Sequence, residues 1–97
     1  MSTFEQDVLN ELGADRVADI AGAIDSDEAG ARRVVEEIAS ALADAWSEAG
    51  EVSGGAKALA GTVAKRTGIP QATISSIMEM VVPVARVAAG KRAATSK

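Results

Sequence analysis

The stretch 63–87, VAKRTGIPQATISSIMEMVVPVARV, limits the possible folds of this chain more than any other. Apolar residues recur in it every three or four positions, and Gly68 and Pro70 interrupt it once. That spacing puts one apolar stripe on each of two helices and a tight turn between them. Ala64 is small enough for the helices to touch. Gly68 supplies the left-handed turn, and Ile74 and Ile77 anchor the second helix on the first. With Ser75, these residues stand at helix-turn-helix spacing. A helix hairpin in a bundle core needs the same residues for the same packing, so the motif specifies a local shape and leaves DNA binding open.

The charge map bears on that choice. A DNA reader of this kind would turn Gln71, Ser75, Ser76 and Glu79 towards the bases. None of these is Arg or Lys, and specific readers depend on such cations for guanine and phosphate. Any nucleic-acid surface would instead draw on Lys65, Arg66, Gln71, Ser75, Ser76, Lys91 and Arg92. Charge divides along the chain. Residues 1–51 carry thirteen acids against Arg16, Arg32 and Arg33, a balance of −10, while residues 52–97 carry Glu79 against seven bases, a balance of +6. A basic half suits an anionic partner. It suits better an acidic half of the same chain or of a second copy, because the bases are spread out rather than clustered on one helix face.

Ninety-seven residues suffice for one domain with a modest core. No stretch alternates with period two over a useful length, so strands are not expected. Only Phe4 and Trp46 are aromatic, and much of the apolar content is alanine, which implies closely packed helices. Trp46, at the edge of an apolar stripe, reads as a lid on the core. Cysteine, histidine and tyrosine are all missing. Disulfides, thiolate sites and histidine-based proton transfer are thereby excluded. The first residues do not read as a secretory signal, and no window is expected to reach the run of roughly 18 apolar residues that spans a bilayer. The expected location is the cytoplasm, with no membrane span.

In chain order, Thr3 with Gln6, or Ser2 with Glu5, fits a capping box for a first helix with its stripe at Phe4, Val8 and Leu12, stopped by Gly13. A second helix is expected over about 14–24. Ser26 or Asp25 would cap a long third helix over about 27–48, whose inner face is Ala31, Val34, Val35, Ile38, Ala41, Leu42 and Ala45. Asp25 and Asp27 could share a divalent cation, but the stretch DSDEAG lacks the other ligands of a calcium loop. Gly50 would stop the helix, and a hinge is expected near 50–55. GGAKALAG has no phosphate-loop spacing. A fourth helix is expected over about 56–67. Pro70 suits the first turn of a fifth, and the ends (about 1–3 and 91–97) are expected to fray.

The fifth helix carries an apolar surplus. Its apolar residues span roughly 200 degrees of the wheel, about twice what one core contact uses, and Pro83 on the polar side should kink it. Met78, Met80, Val82 and Val87 flank the central stripe of Ile74, Ile77, Val81, Val84 and Ala88. They are the candidate contacts to a second copy or a protein partner. An internal echo at an offset of 43 pairs Ile20-Ala21 with Val63-Ala64, Ala29 with Ala72, Ala31 with Ile74, and Val34 and Ile38 with Ile77 and Val81. Together these features predict an all-α fold of about five helices, in which two helix-turn-helix-like hairpins pack into one small bundle.

Three stretches carry a family resemblance: VLNELGADRVADIAGAIDSDEAGARRVV, VAKRTGIPQATISSIMEMVVPV and AGKR. Through them the chain resembles the bacterial DUF937 (YidB-like) proteins, the short actinobacterial members in particular. The resemblance implies an all-helical fold and carries no activity with it. The middle, ALADAWSEAGEVSGG, looks shorter and more acidic than the Gly/Leu-rich segment of longer members, and VARVAAG stands where theirs is richer in leucine. An enzyme is not expected, since the carboxylates lie on solvated helix faces, and no cofactor is implied. The expected function is a non-enzymatic interaction or self-association module acting through the last helix. The alternative is a helix-turn-helix DNA-binding protein.

Overall fold

A computed structural model describes residues 3–49 and 57–95. It contains five helices and, among the described residues, no strand: α1 (Phe4–Leu12), α2 (Ala14–Ala23), α3 (Glu28–Ala49), α4 (Lys57–Thr67) and α5 (Gln71–Thr95). The hinge expected near 50–55, the stop at Gly50 and the alternative cap at Ser2 lie outside the described residues.

Local chemistry explains the boundaries around Gly13, between α2 and α3, and between α4 and α5. Thr3 caps α1 through a complete capping box: the Gln6 amide donates to Thr3 Oγ1 at 3.2 Å, and the Thr3 amide donates to Gln6 Oε1 at 3.3 Å. Gly13 alone separates α1 from α2. Its φ of 87° and ψ of 160° lie in a region that only glycine occupies without strain.

The turn after α2 corrects one expectation. Asp27, rather than Ser26 or Asp25, caps α3, accepting from the Gly30 amide at 2.8 Å. Asp25 is used differently. It holds the left-handed conformation, with φ 54°, that closes α2; the Ser26 amide donates to the Ala21 carbonyl and the Asp25 amide to that of Gly22. Gly30 completes the cap, because a Cβ there would lie 2.2 Å from Ser26 Oγ.

The second turn is built alike. Gly68 takes the left-handed role with φ 74°, and Thr67 Oγ1 donates to the Val63 carbonyl at 2.8 Å while accepting from the Ile69 amide. Pro70 lies just before α5 rather than inside its first turn, and its carbonyl accepts from the Ile74 amide at 3.1 Å. The 43-residue echo extends to these boundaries. It relates the starts of α3 and α5 (28 and 71) and the left-handed residues 25 and 68.

The described helices share one core. α1 packs across α3 and α5, α4 packs on α3 and α5, and α2 packs on α3. Val8, Ile20, Val35, Ile38, Leu42, Val63, Ile74, Met78 and Val81 are wholly buried. Trp46 is buried and meets the half-buried Phe4 edge to face, with ring centroids 6.1 Å apart, fastening the far end of α3 to α1. α5 is the longest member. Its 25 residues rise about 37 Å, close to the molecule's longest dimension of 41 Å.

α5 runs to Thr95, and Lys91 and Arg92, within the stretch expected to fray, are ion-paired to α1. In addition, 71–92 does pass for a membrane span by length and composition, with a mean hydropathy of 1.4. Alanine and valine raise that average without an unbroken apolar run. Much of this face is spent inside the bundle, since 44% of the window is buried against the rest of the chain.

Candidate functional site: the outward face of the last helix

The four residues expected to make protein contacts divide between inside and outside. Met78 and Val82 are core residues, 2% and 8% exposed. Met80 is half-buried, and Val87 is the one large hydrophobic side chain that stands exposed among the described residues, at 50%. The surplus inferred from the wheel is therefore mostly consumed within the chain. A helix wrapped by α1, α3 and α4 needs apolar residues around most of its circumference. A wheel measures how wide an apolar face is, but not how many neighbours share it.

What remains is a narrow outward strip. Ser76, Met80, Pro83, Val87 and Gly90 follow one another at spacings of four, three, four and three, so they stay in line along the helix. All are exposed except the half-buried Met80. Glu79 and Arg86, both exposed, run along one side of the strip. The sequence reading named Met80 and Val87 but not Pro83 or Gly90. The three-four spacing of 76, 80, 83, 87 and 90 was the signal that could have found them.

The residues proposed for nucleic acid do not converge. Lys65, Arg66, Gln71, Ser75 and Ser76 are all exposed around the α4–α5 turn. Lys91 and Arg92 lie about 30 Å further along α5. They are also occupied: Lys91 Nζ bonds to Glu11, and Arg92 Nη1 lies 2.6 Å from Asp7 Oδ2. Arg66 is 3.7 Å from Glu37 on α3, and Ser76 Oγ donates back to the Ala72 carbonyl at 3.3 Å. Of the four bases, only Lys65 has no ion-pair partner among the described residues. In these three pairs, the basic half meets the acidic half within one chain.

The rest of the surface offers little chemistry. An open groove runs past Ile24, Ser26, Arg33, Glu37, Arg66 and Ile69, and a second past Gln6, Asn10, Gly13 and Arg32. Among the described residues no polar or charged side chain is buried, and no three carboxylates gather where they could hold a metal ion. Asp25 and Asp27 serve the turn and the cap. Comparison with protein-family models, with curated proteins and with solved structures finds no match for this chain.

Proposed function

We propose that this chain is a non-enzymatic interaction module of the cytoplasm that self-associates through the outward strip of α5. One observation carries the reading. The exposed Val87 stands in line with the half-buried Met80 and the exposed Pro83, whereas the other large apolar side chains among the described residues are buried or partly buried. Light scattering compares the wild-type chain with a Met80→Glu, Val87→Glu double variant. A lower mass at unchanged helicity is expected, and an unchanged mass at unchanged helicity removes the reading. Val82 is unsuitable for this purpose, because a charge there would enter the core. On the strength of the three stretches quoted above, we also place the chain among the DUF937 (YidB-like) proteins as part of the same proposal.

DNA binding is the second reading. It draws on the exposed Gln71 and Ser75 at the start of α5, beside the exposed Lys65. It requires duplex binding that weakens steeply with salt and that Lys65→Glu impairs. The absence of binding at low salt would remove it.

A further inference from the structure

The outward strip of α5 is arranged symmetrically about its own centre. Glu79 and Arg86 are seven residues apart, and so are Met80 and Val87, while Ser76 and Gly90 are fourteen apart. The midpoints of these pairs fall at 82.5, 83.5 and 83, all beside Pro83. Seven residues make nearly two turns, so the members of each such pair share a face about 10 Å apart. No ion pair joins Glu79 or Arg86 to another described residue.

Such a surface is complementary to itself when inverted. A twofold axis through Pro83 and perpendicular to α5 brings a second copy alongside, running the opposite way. Glu79 then faces Arg86 of the partner subunit and Met80 faces Val87 of the partner subunit, each contact occurring twice. Ser76 meets Gly90 of the partner subunit at both ends, where small side chains let the backbones approach. The four-three spacing keeps the seam in line between two helices. A parallel arrangement would instead put the Glu79–Arg86 side of the two helices on opposite flanks of the seam, so that neither charge meets its complement across it.

We propose that two copies of this chain pair through α5 in antiparallel fashion about a twofold axis at Pro83, with Glu79 of each against Arg86 of the other. The proposal rests on the reading of the α5 strip as a contact surface and adds its partner and its geometry. The seam is one helix wide, so the pairing is of the weak, concentration-dependent class.

The chain has no cysteine, so single cysteines report on proximity without background. Ser76 is exposed, and a Cβ added at Gly90 would meet nothing within 4 Å, so both positions accept one. Under mild oxidation, Pro83→Cys is expected to give a covalent dimer. Ser76→Cys mixed with Gly90→Cys is expected to cross-link, and Ser76→Cys alone is not. Glu79→Arg and Arg86→Glu should each weaken dimerisation about tenfold, because the symmetry counts every contact twice, and the combined variant should restore it. A dimer that Met80→Glu, Val87→Glu disrupts, but whose Ser76→Cys links to itself or whose charge exchange is not restored, overturns this geometry and leaves the contact surface standing. A wild-type chain that stays monomeric as its concentration rises overturns both.

Discussion

The hairpin α2–α3 and the hairpin α4–α5 are two versions of one plan. Shifted by 43 residues, the wholly buried or nearly buried Ile20, Ala31, Val34 and Ile38 coincide with Val63, Ile74, Ile77 and Val81. The outward faces differ. Glu37, Ser40 and Asp44 of α3 correspond to Met80, Pro83 and Val87 of α5. The inner face sets the fold and is alike in both copies, whereas the outer face is free to diverge. One hairpin keeps a polar back and the other carries a thin apolar seam, and it is on the second that the proposed contact rests.

The comparison can be broken most forcefully in the core. Ile38→Ala should cost about 2 to 4 kcal/mol. Val81→Ala should cost about 2 kcal/mol, from two methyl groups and a small cavity. Denaturant unfolding should show each variant shifting a single transition, and two separate transitions would mean that the hairpins fold as independent units. The turns come next. Gly68→Ala should lose about 1 kcal/mol, because its φ of 74° disfavours a Cβ, while Asp25→Gly should gain less than about 1 kcal/mol at the equivalent position. If both replacements lowered stability equally, the two turns would not be equivalent.

The ion pairs to α1 are partly solvated. Lys91→Ala and Arg92→Ala should each cost under about 1 kcal/mol, and the loss should fade in high salt. Of similar size, about 1 kcal/mol, is the exchange of the outer faces, because Met80 is half-buried against the core whereas Val87 is exposed. Met80→Glu with Val87→Glu should lower the unfolding midpoint only slightly while lowering the mass in light scattering. The reverse graft, Glu37→Met with Asp44→Val, should give α3 an adhesive face of its own.

Much of this fold was legible because helix spacing and caps are local. The Thr3–Gln6 box, the single glycine at 13 and the stripe through Val34 and Ile38 could each be read from a few neighbouring residues. In the Asp25–Ser26–Asp27 run the spacing points to Ser26 or Asp25 as the cap, and Asp27 takes that place. Which one acts depends on the backbone torsion at Asp25, and no glycine marks that position. The fates of Met78 and Val82 depend on how α1, α3 and α4 surround α5, and the contacts with α1 and α3 join residues far apart in sequence. For the same reason, the charge division did not reveal that Lys91 and Arg92 would meet Glu11 and Asp7. The candidate strip was visible in part, through Met80 and Val87, but burial was needed to separate it from the core.

The pairing of α1 with α5 has a kinetic consequence. Asp7 and Arg92 are 85 positions apart, and Glu11 and Lys91 are 80 apart, whereas each hairpin is stitched by near neighbours. Closing so long a loop is entropically unfavourable until both hairpins have condensed, which makes it a late event on the way to the native state. Weakening that clasp should therefore hasten unfolding and leave the refolding rate nearly untouched.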